Sequence, residues 1–172
     1  MSINLYVIST QDFTGKSAVC VALMHRMQHD GFKVGYLKPF SSAARVRGES
    51  RIDEDARFVK ETFNLPEPIE YLAPIVFTSQ NLRKHLTSGG NNYAEIVKNA
   101  GEMAGLGRDV VVMEGSANFR EGYVVGLSPI TTVQILDARV VAVIGYRSSL
   151  QVIDDTMTAL TRMGDRLVGA II

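Results

Sequence analysis

Residues 9–17, which read Ser-Thr-Gln-Asp-Phe-Thr-Gly-Lys-Ser, end like a phosphate-binding loop but begin unlike one. The usual loop reads G-x-x-x-x-G-K-[ST], and Thr10 stands here where the first glycine is expected. In such loops, backbone N–H groups and the positive end of a helix bind phosphate oxygens. Lys16 would then contact the β- and γ-phosphates, and the Ser17 hydroxyl would bind Mg²⁺. The alternative interpretation is a Gly-Lys-Ser that merely begins a helix.

Four further charged residues stand at the ends of predicted strands or helices. Glu114 ends the apolar run DVVVMEG, where a carboxylate can bind Mg²⁺ directly or through water. Lys38, in YLKPF, could neutralise a transferred phosphoryl group. Of Asp53 and Asp55, one is expected to cap a helix and the other to complete a metal site, but their spacing does not say which. Glu114 could instead be a solvated acid at a strand end, and Lys38 an ordinary strand terminus.

The hydrophobic pattern predicts the elements that position these residues. Short apolar, β-rich runs predict five strands, at 3–9, 33–39, 109–115, 139–146 and 166–172. Apolar residues at helical spacing predict helices at 16–30, 53–63, 79–88, 92–104, 130–137 and 148–163, with 41–51 a loop and 65–79 irregular. Alternating strands and helices indicate an α/β domain with a parallel sheet covered on both faces. Ligands of such sheets bind beyond the carboxyl ends of the strands.

Composition narrows the class of protein. A chain of 172 residues with zero formal net charge suits one globular domain and gives no reason to expect nucleic acid or an anionic membrane as partner. No apolar run approaches the roughly 18 residues that cross a bilayer. A single cysteine fits a reducing cytoplasm. The last run, RLVGAII, is typical of a core strand, so we expect 1–172 to be one domain truncated at its carboxyl end from a longer protein.

The other reactive side chains favour structural interpretations. Cys20 lies between valines on a predicted helix, as a small buried hydrophobe does. His25 and His29 are four residues apart and could share a metal, but no third ligand accompanies them. A solvated helix face is the better interpretation of this pair.

Taken together, these motifs resemble the dethiobiotin synthetase family. The resemblance rests on TQDFTGKS after an amino-terminal strand, LKPF on the second strand, DEDA at a helix start and VVVMEGS on a later strand. The same layout occurs in the amino-terminal domain of long phosphotransacetylases, and the group is related to cobyrinic acid a,c-diamide synthase and MinD. The family loop reads T-x-x-x-x-G-K-[ST], so Thr10 stands at its expected place. The resemblance covers nearly the whole chain and implies a three-layer P-loop NTPase-type fold with a mostly parallel sheet.

The resemblance also implies roles for individual residues. Ser17, Asp55 and Glu114 match the Mg²⁺ ligands, and Lys16 and Lys38 match the lysines that contact the reacting phosphates. The expected ATP-binding loop consists of Thr10, Gln11, Asp12, Phe13, Thr14, Gly15, Lys16 and Ser17. In the synthetase, ATP phosphorylates the carbamate of an amine substrate; the diamide synthases activate a carboxylate instead. Members of this branch often form homodimers, so a homodimer is expected by analogy.

One departure from the family concerns the turn after Glu114. Synthetases place a glycine-rich turn there, near the substrate, whereas this chain reads Gly-Ser-Ala-Asn-Phe over 115–119 and looks closer to the phosphotransacetylase-type domain. Three hypotheses follow. The chain is a nucleotide-sensing regulatory domain of a larger protein, an ATP-dependent ligase acting on an amine or carboxylate, or an interaction module that no longer binds nucleotide.

Overall fold

Strands and helices alternate along most of the chain. The computed structural model describes residues 2–42, 45–47, 50–88 and 91–172. The strands are β1 (Ile3–Ser9), β2 (Val34–Leu37), β3 (Arg45–Arg47), β4 (Ser50–Ile52), β5 (Val110–Glu114), β6 (Arg139–Val143) and β7 (Leu167–Ile171). The helices are α1 (Lys16–His29), α2 (Glu54–Phe63), α3 (Ile69–Leu72), α4 (Ser79–Ser88), α5 (Tyr93–Ala104), α6 (Pro129–Ile135) and α7 (Ser149–Met163).

Five strands form one parallel sheet, as predicted, and their order is β2-β5-β1-β6-β7. Successive side chains of a strand point to opposite faces, and both faces are buried. In β1, Tyr6 and Ile8 pack with α5, α6 and α7, whereas Val7 packs on the other face with α1 and α2. In β5, Met113 packs on the same face as Tyr6 and Ile8, and Val112 on the same face as Val7. The fold therefore has three layers, with helices on both sides of the sheet.

Each of the six predicted helices is present, and several of them begin after a residue whose side chain caps the helix. Asp53, Asn92, Ser128 and Ser148 each accept a hydrogen bond from a backbone N–H of the first turn. Helix α1 differs because Gly15 precedes it and supplies no side-chain cap. Its first N–H groups are therefore not satisfied by a cap side chain.

The prediction of a loop over 41–51 was wrong for residues 45–47 and 50–51, and residues 43–44 and 48–49 lie outside the described part of the chain. This segment contains β3 and β4, which pair antiparallel with Val46 opposite Arg51. Strands of three residues are too short to show the alternation from which a strand is recognised. The segment 65–79 is irregular as predicted, apart from the single turn of α3.

The apolar run at the carboxyl end forms a strand, as predicted. In the described part of the chain, β7 is the outermost strand beside β6, and Val168 and Ile171 are exposed. Position in the sheet decides this burial, since the composition of an edge strand and of a central strand can be the same. No helix among the described residues is long and apolar enough to cross a bilayer.

Candidate nucleotide-binding site

The segment from Ser9 to Lys16 runs from the end of β1 to the start of α1, at the carboxyl edge of the sheet. Gly15 has φ +86°, a left-handed conformation that glycine adopts without strain. Phe13 also has a positive φ, +58°, and its side chain is fully exposed. A left-handed non-glycine residue costs about 1–3 kcal/mol and is typical of loops whose geometry serves a ligand.

Side chains of two other elements hold this loop. Gln11 donates to Asp155 of α7 at 2.7 Å, and Asn118 of the loop after β5 donates to Asp12 at 2.7 Å. The Thr10 and Thr14 hydroxyls are buried without a hydrogen-bond partner among the described residues. A buried hydroxyl without a partner is unfavourable, and phosphate oxygens would satisfy it.

Glu114, the last residue of β5, is completely buried beneath the loop. One carboxylate oxygen accepts from the Ser17 hydroxyl at 2.8 Å and lies 3.3 Å from the Lys16 ammonium. The other accepts from the Tyr36 hydroxyl at 2.9 Å. A buried charge is tolerable only when it is paired and hydrogen-bonded, and these donors meet that condition.

Lys38 follows β2 directly and is buried among acidic side chains. Its Nζ lies 2.7 Å from Asp55, 3.0 Å from Asp53 and 3.4 Å from Glu114. Burial by itself would lower the pKa of Lys38, but the three carboxylates outweigh it and raise the pKa above the usual range. The side chain is therefore a permanent cation at neutral pH.

The two aspartates take different positions, which their spacing alone left open. Asp53 is the N-cap of α2 and is only 1% exposed. Asp55, in the first turn, is half exposed and lines the cleft. Burial works to raise the pKa of Asp55, but the hydrogen bond and charge of Lys38 bring it below the ordinary value. Asp55 is accordingly ionised at neutral pH and accessible to a ligand.

These residues border a cleft of about 830 Å³ between the loop 9–17 and the turn after β5. Every predicted site residue with a charged side chain other than Glu114 lines this cleft, namely Asp12, Lys16, Lys38 and Asp55. Glu114 lies beneath the cleft, where its carboxylate contacts the Ser17 hydroxyl and the ammonium groups of Lys16 and Lys38. The geometry thus brings together residues that lie far apart in the sequence.

The turn after Glu114 shows why glycine is absent at its centre. Asn118 uses its side chain to contact Asp12, and buried Phe119 packs beneath the Arg162 guanidinium, 5.6 Å from its ring centroid. The close approach occurs earlier, at Gly115, where a Cβ would lie 2.7 Å from the Val7 carbonyl. The glycine requirement therefore falls on position 115 and not on 118.

Sequence reasoning missed Tyr36, Ser41 and Asn118. Tyr36 looks like a core residue of β2, and its only signal is that a buried phenol needs a hydrogen-bond partner. Ser41 donates to Asp53, and Asn118 to Asp12, over contacts that no local pattern reveals. His25 and His29, in contrast, lie exposed on α1 as predicted.

Comparison with known proteins places this geometry in a family. A family model described as an AAA domain, AAA_26, matches residues 3–172. The ATP-dependent dethiobiotin synthetase BioD of Caldicellulosiruptor saccharolyticus is 27% identical over 114 residues, which cover 64% of this chain and 46% of the synthetase. The phosphate acetyltransferase of Deinococcus radiodurans is 26% identical over 167 residues, covering 85% of this chain and 22% of that protein. This chain thus spans half or less of the length of these relatives.

Solved structures share the fold at low sequence identity. Chloroplast FtsY from Physcomitrella patens superposes with a TM-score of 0.62 at 15% identity, covering 99% of this chain and 49% of FtsY. The chimerical protein CapA2B2 has a TM-score of 0.59 at 13% identity, covering 99% of this chain and 75% of the chimera. These neighbours support a P-loop NTPase fold and nothing finer. With the family model spanning almost every residue, the chain belongs to the AAA_26 family of P-loop domains and is dethiobiotin synthetase-like.

Proposed function

We propose that this domain binds ATP together with Mg²⁺ and serves as a nucleotide-sensing, regulatory module of a larger protein such as a phosphotransacetylase. The observation that carries the nucleotide site is the convergence of Lys16, Ser17, Lys38, Asp55 and Glu114 at one edge of the sheet. The regulatory part is supported by the turn 115–119, where Asn118 and Phe119 make internal contacts in place of a glycine-rich substrate turn. It is supported also by the match to a phosphate acetyltransferase.

In the proposed complex, the loop N–H groups and Lys16 bind the phosphates. Ser17, Asp55 and Glu114 are the candidate metal ligands, and a hydroxyl with two carboxylates is the hard oxygen set that magnesium prefers. The metal would offset phosphate charge and orient the β- and γ-phosphates. Lys38 contacts the γ-phosphoryl group and neutralises its charge. Among the described residues, no group of three or more His, Cys, Asp or Glu could hold a metal alone, so phosphate oxygens would complete the coordination.

The charge of the site explains why binding should depend on magnesium. The charged side chains that line the cleft or lie directly beneath it are Lys16, Lys38 and Arg120 against Asp12, Asp53, Asp55, Glu114 and Glu121, which leaves two negative charges in excess. Free ATP is itself a polyanion, so it would meet repulsion at this edge of the sheet. A divalent cation offsets this excess of negative charge.

The test is calorimetric titration of ATP, with and without Mg²⁺, on wild type, Lys16→Ala and the exposed control Lys98→Ala. We expect magnesium-enhanced binding to wild type and to the control, and no measurable binding to Lys16→Ala at an unchanged circular dichroism spectrum. Equal affinity of wild type and Lys16→Ala would refute the assignment. No binding to wild type would favour an interaction module instead.

A second candidate is an ATP-dependent ligase that phosphorylates a carbamate or carboxylate. It is favoured by Lys38, whose ammonium lies at the cleft beside both candidate metal carboxylates. Phosphate release that requires an added amine or carboxylate, measured by a coupled assay, would establish the ligase and exclude a purely regulatory role.

We also propose a homodimer and a cytoplasmic location, which rest on the family resemblance and on the single cysteine. Sedimentation of the domain with and without Mg·ATP tests the dimer. A monomer at all concentrations would contradict it.

A further inference from the structure

The three carboxylates around Lys38, those of Asp53, Asp55 and Glu114, have different roles in the proposed site. In the proposed site, Asp55 and Glu114 are oxygen ligands of magnesium, so their negative charge is shared between the metal and the Lys38 ammonium. Asp53 is not among those ligands. Asp53 lies 3.0 Å from the Lys38 Nζ, and of these three carboxylates it is the one that is not a proposed metal ligand.

Asp53 is held in one orientation by three donors, which come from the segment directly after β2 and from the first turn of α2. Its Oδ1 accepts from the backbone N–H of Ala56 at 2.8 Å, and its Oδ2 accepts from the Ser41 hydroxyl. Lys38 contacts both oxygens, at 3.0 and 3.1 Å. With 1% of the residue exposed, water does not compete for these bonds.

Helix capping alone does not account for an aspartate at this position. A cap needs an oxygen that accepts from the first turn, and Asn or Ser serves as well as Asp. The other side-chain caps in the described part of the chain are neutral, at Thr78, Asn92, Ser128 and Ser148. A buried negative charge is costly, so its retention at position 53 is explained by the cation that it contacts.

We infer that Asp53 is a positioning residue for Lys38, which rests on the proposed function. It holds the Lys38 ammonium against the cleft wall while Asp55 and Glu114 serve the metal. Lys38 therefore meets the γ-phosphoryl group from a fixed position. The consequence is a preference for ATP over ADP, since only ATP carries the group that Lys38 contacts.

The test compares the affinities for Mg·ATP and Mg·ADP, measured by calorimetry, in wild type, Asp53→Asn, Lys38→Met and the double variant. Asp53→Asn keeps the shape and an oxygen for the Ala56 N–H, but it removes the charge and replaces the oxygen that accepts from Ser41 and Lys38 with an amide N–H donor. Loss of one charge-assisted contact should lower the ATP-to-ADP affinity ratio roughly 10- to 100-fold in each single variant. The double variant should fall no further, because both changes remove the same contact.

Using the ratio cancels the general effect of removing a negative charge near phosphate. Asp30→Asn, the same change on the exposed end of α1, controls for net charge and should leave the ratio unchanged. Asp53→Ser also keeps a capping oxygen, and it serves if Asp53→Asn does not fold. A thermal melt of each variant separates loss of the cap from loss of the contact.

The outcomes are distinct. Asp53 is only a helix cap if Asp53→Asn or Asp53→Ser keeps the ATP-to-ADP affinity ratio of wild type while Lys38→Met lowers it. That result overturns the inference and leaves the proposed function standing. An unchanged ratio in Lys38→Met overturns the inference too, because Lys38 then does not read the γ-phosphoryl group. Wild type that binds neither nucleotide overturns the proposed function and the inference together.

Discussion

At the scale of single residues, the buried polar groups of the site satisfy one another. Glu114 carries a charge with no solvent contact, and the Tyr36 hydroxyl donates to one of its oxygens from the neighbouring strand β2. Burial first, and then the adjacent Glu114 charge, raises the pKa of Tyr36, so the phenol stays protonated and remains a donor. Loss of this donor would leave a charged oxygen short of a partner in a dry environment.

Tyr36→Phe should therefore lower the free energy of unfolding by about 1–3 kcal/mol. The change removes one oxygen and no apolar volume, so the loss reports the hydrogen bond to Glu114. Urea denaturation measures it. Tyr71→Phe, at an exposed position, should stay within about 0.5 kcal/mol of wild type, and equal effects of the two variants would contradict the argument.

Cys20 offers a second test at this scale. It is completely buried on α1, and burial, followed by the nearby Glu114 charge, raises the pKa of its thiol. The thiolate is the reactive form, so native protein at pH 7 to 8 should react slowly with a maleimide and stoichiometrically once unfolded in urea. Rapid labelling of the native state would show that the thiol is accessible.

At the scale of elements, side-chain hydrogen bonds connect the segment 9–17 to its neighbours. Gln11 contacts α7 through Asp155, and Asn118 joins the turn after β5 to Asp12. The backbone of the segment that follows this turn bends at Gly122, which has φ +85° and lies against the Leu127 carbonyl.

Substitution of two glycines separates conformational strain from crowding. Gly126→Ala meets a φ of +72° but no atom within 4 Å, so it should cost about 1–2 kcal/mol of unfolding free energy. Gly122→Ala meets the same strain and a Cβ 2.1 Å from a backbone oxygen, so it should cost clearly more. Chemical denaturation of both variants gives the difference. Equal losses would mean that the backbone at Gly122 shifts freely.

At the scale of the whole molecule, the site joins both halves of the sheet. β1 lies at the centre, and the site collects residues after β1, β2 and β5 on one side, with α7 from the other side contacting the loop. A ligand held by these elements would bind the folded chain and not the unfolded one. Binding energy then adds to the stability of the entire domain.

Mg·ATP at 100 times its dissociation constant should stabilise the domain by about 2.7 kcal/mol. For a chain of this size, that corresponds to a rise in Tm of roughly 5–10 °C. Scanning calorimetry should show the rise in wild type and none in Lys16→Ala. A similar rise in both would place the nucleotide at another site.

Much of the architecture followed from the sequence, because it depends on patterns that extend over many residues. Continuous apolar runs, alternating with segments whose apolar residues recur at helical spacing, predicted the parallel sheet and six of the helices. The position of the Gly-Lys-Ser after β1 indicated which edge of the sheet carries the candidate site. The hairpin of β3 and β4 was missed, since three residues carry no periodicity. The order of the strands was not predicted, because strand order is not a local property.

The sequence by itself determined which residue types stand after each strand, and through them the family and the candidate nucleotide site. The tertiary structure decided how those residues divide their roles. Asp53 and Asp55 are both carboxylates in one short segment, and only the packing of α2 beside Lys38 buries one and leaves the other at the cleft. The contacts of Tyr36 and Asn118 likewise join residues about 78 and 106 positions apart. Such pairings depend on the approach of distant elements, which no local spacing encodes.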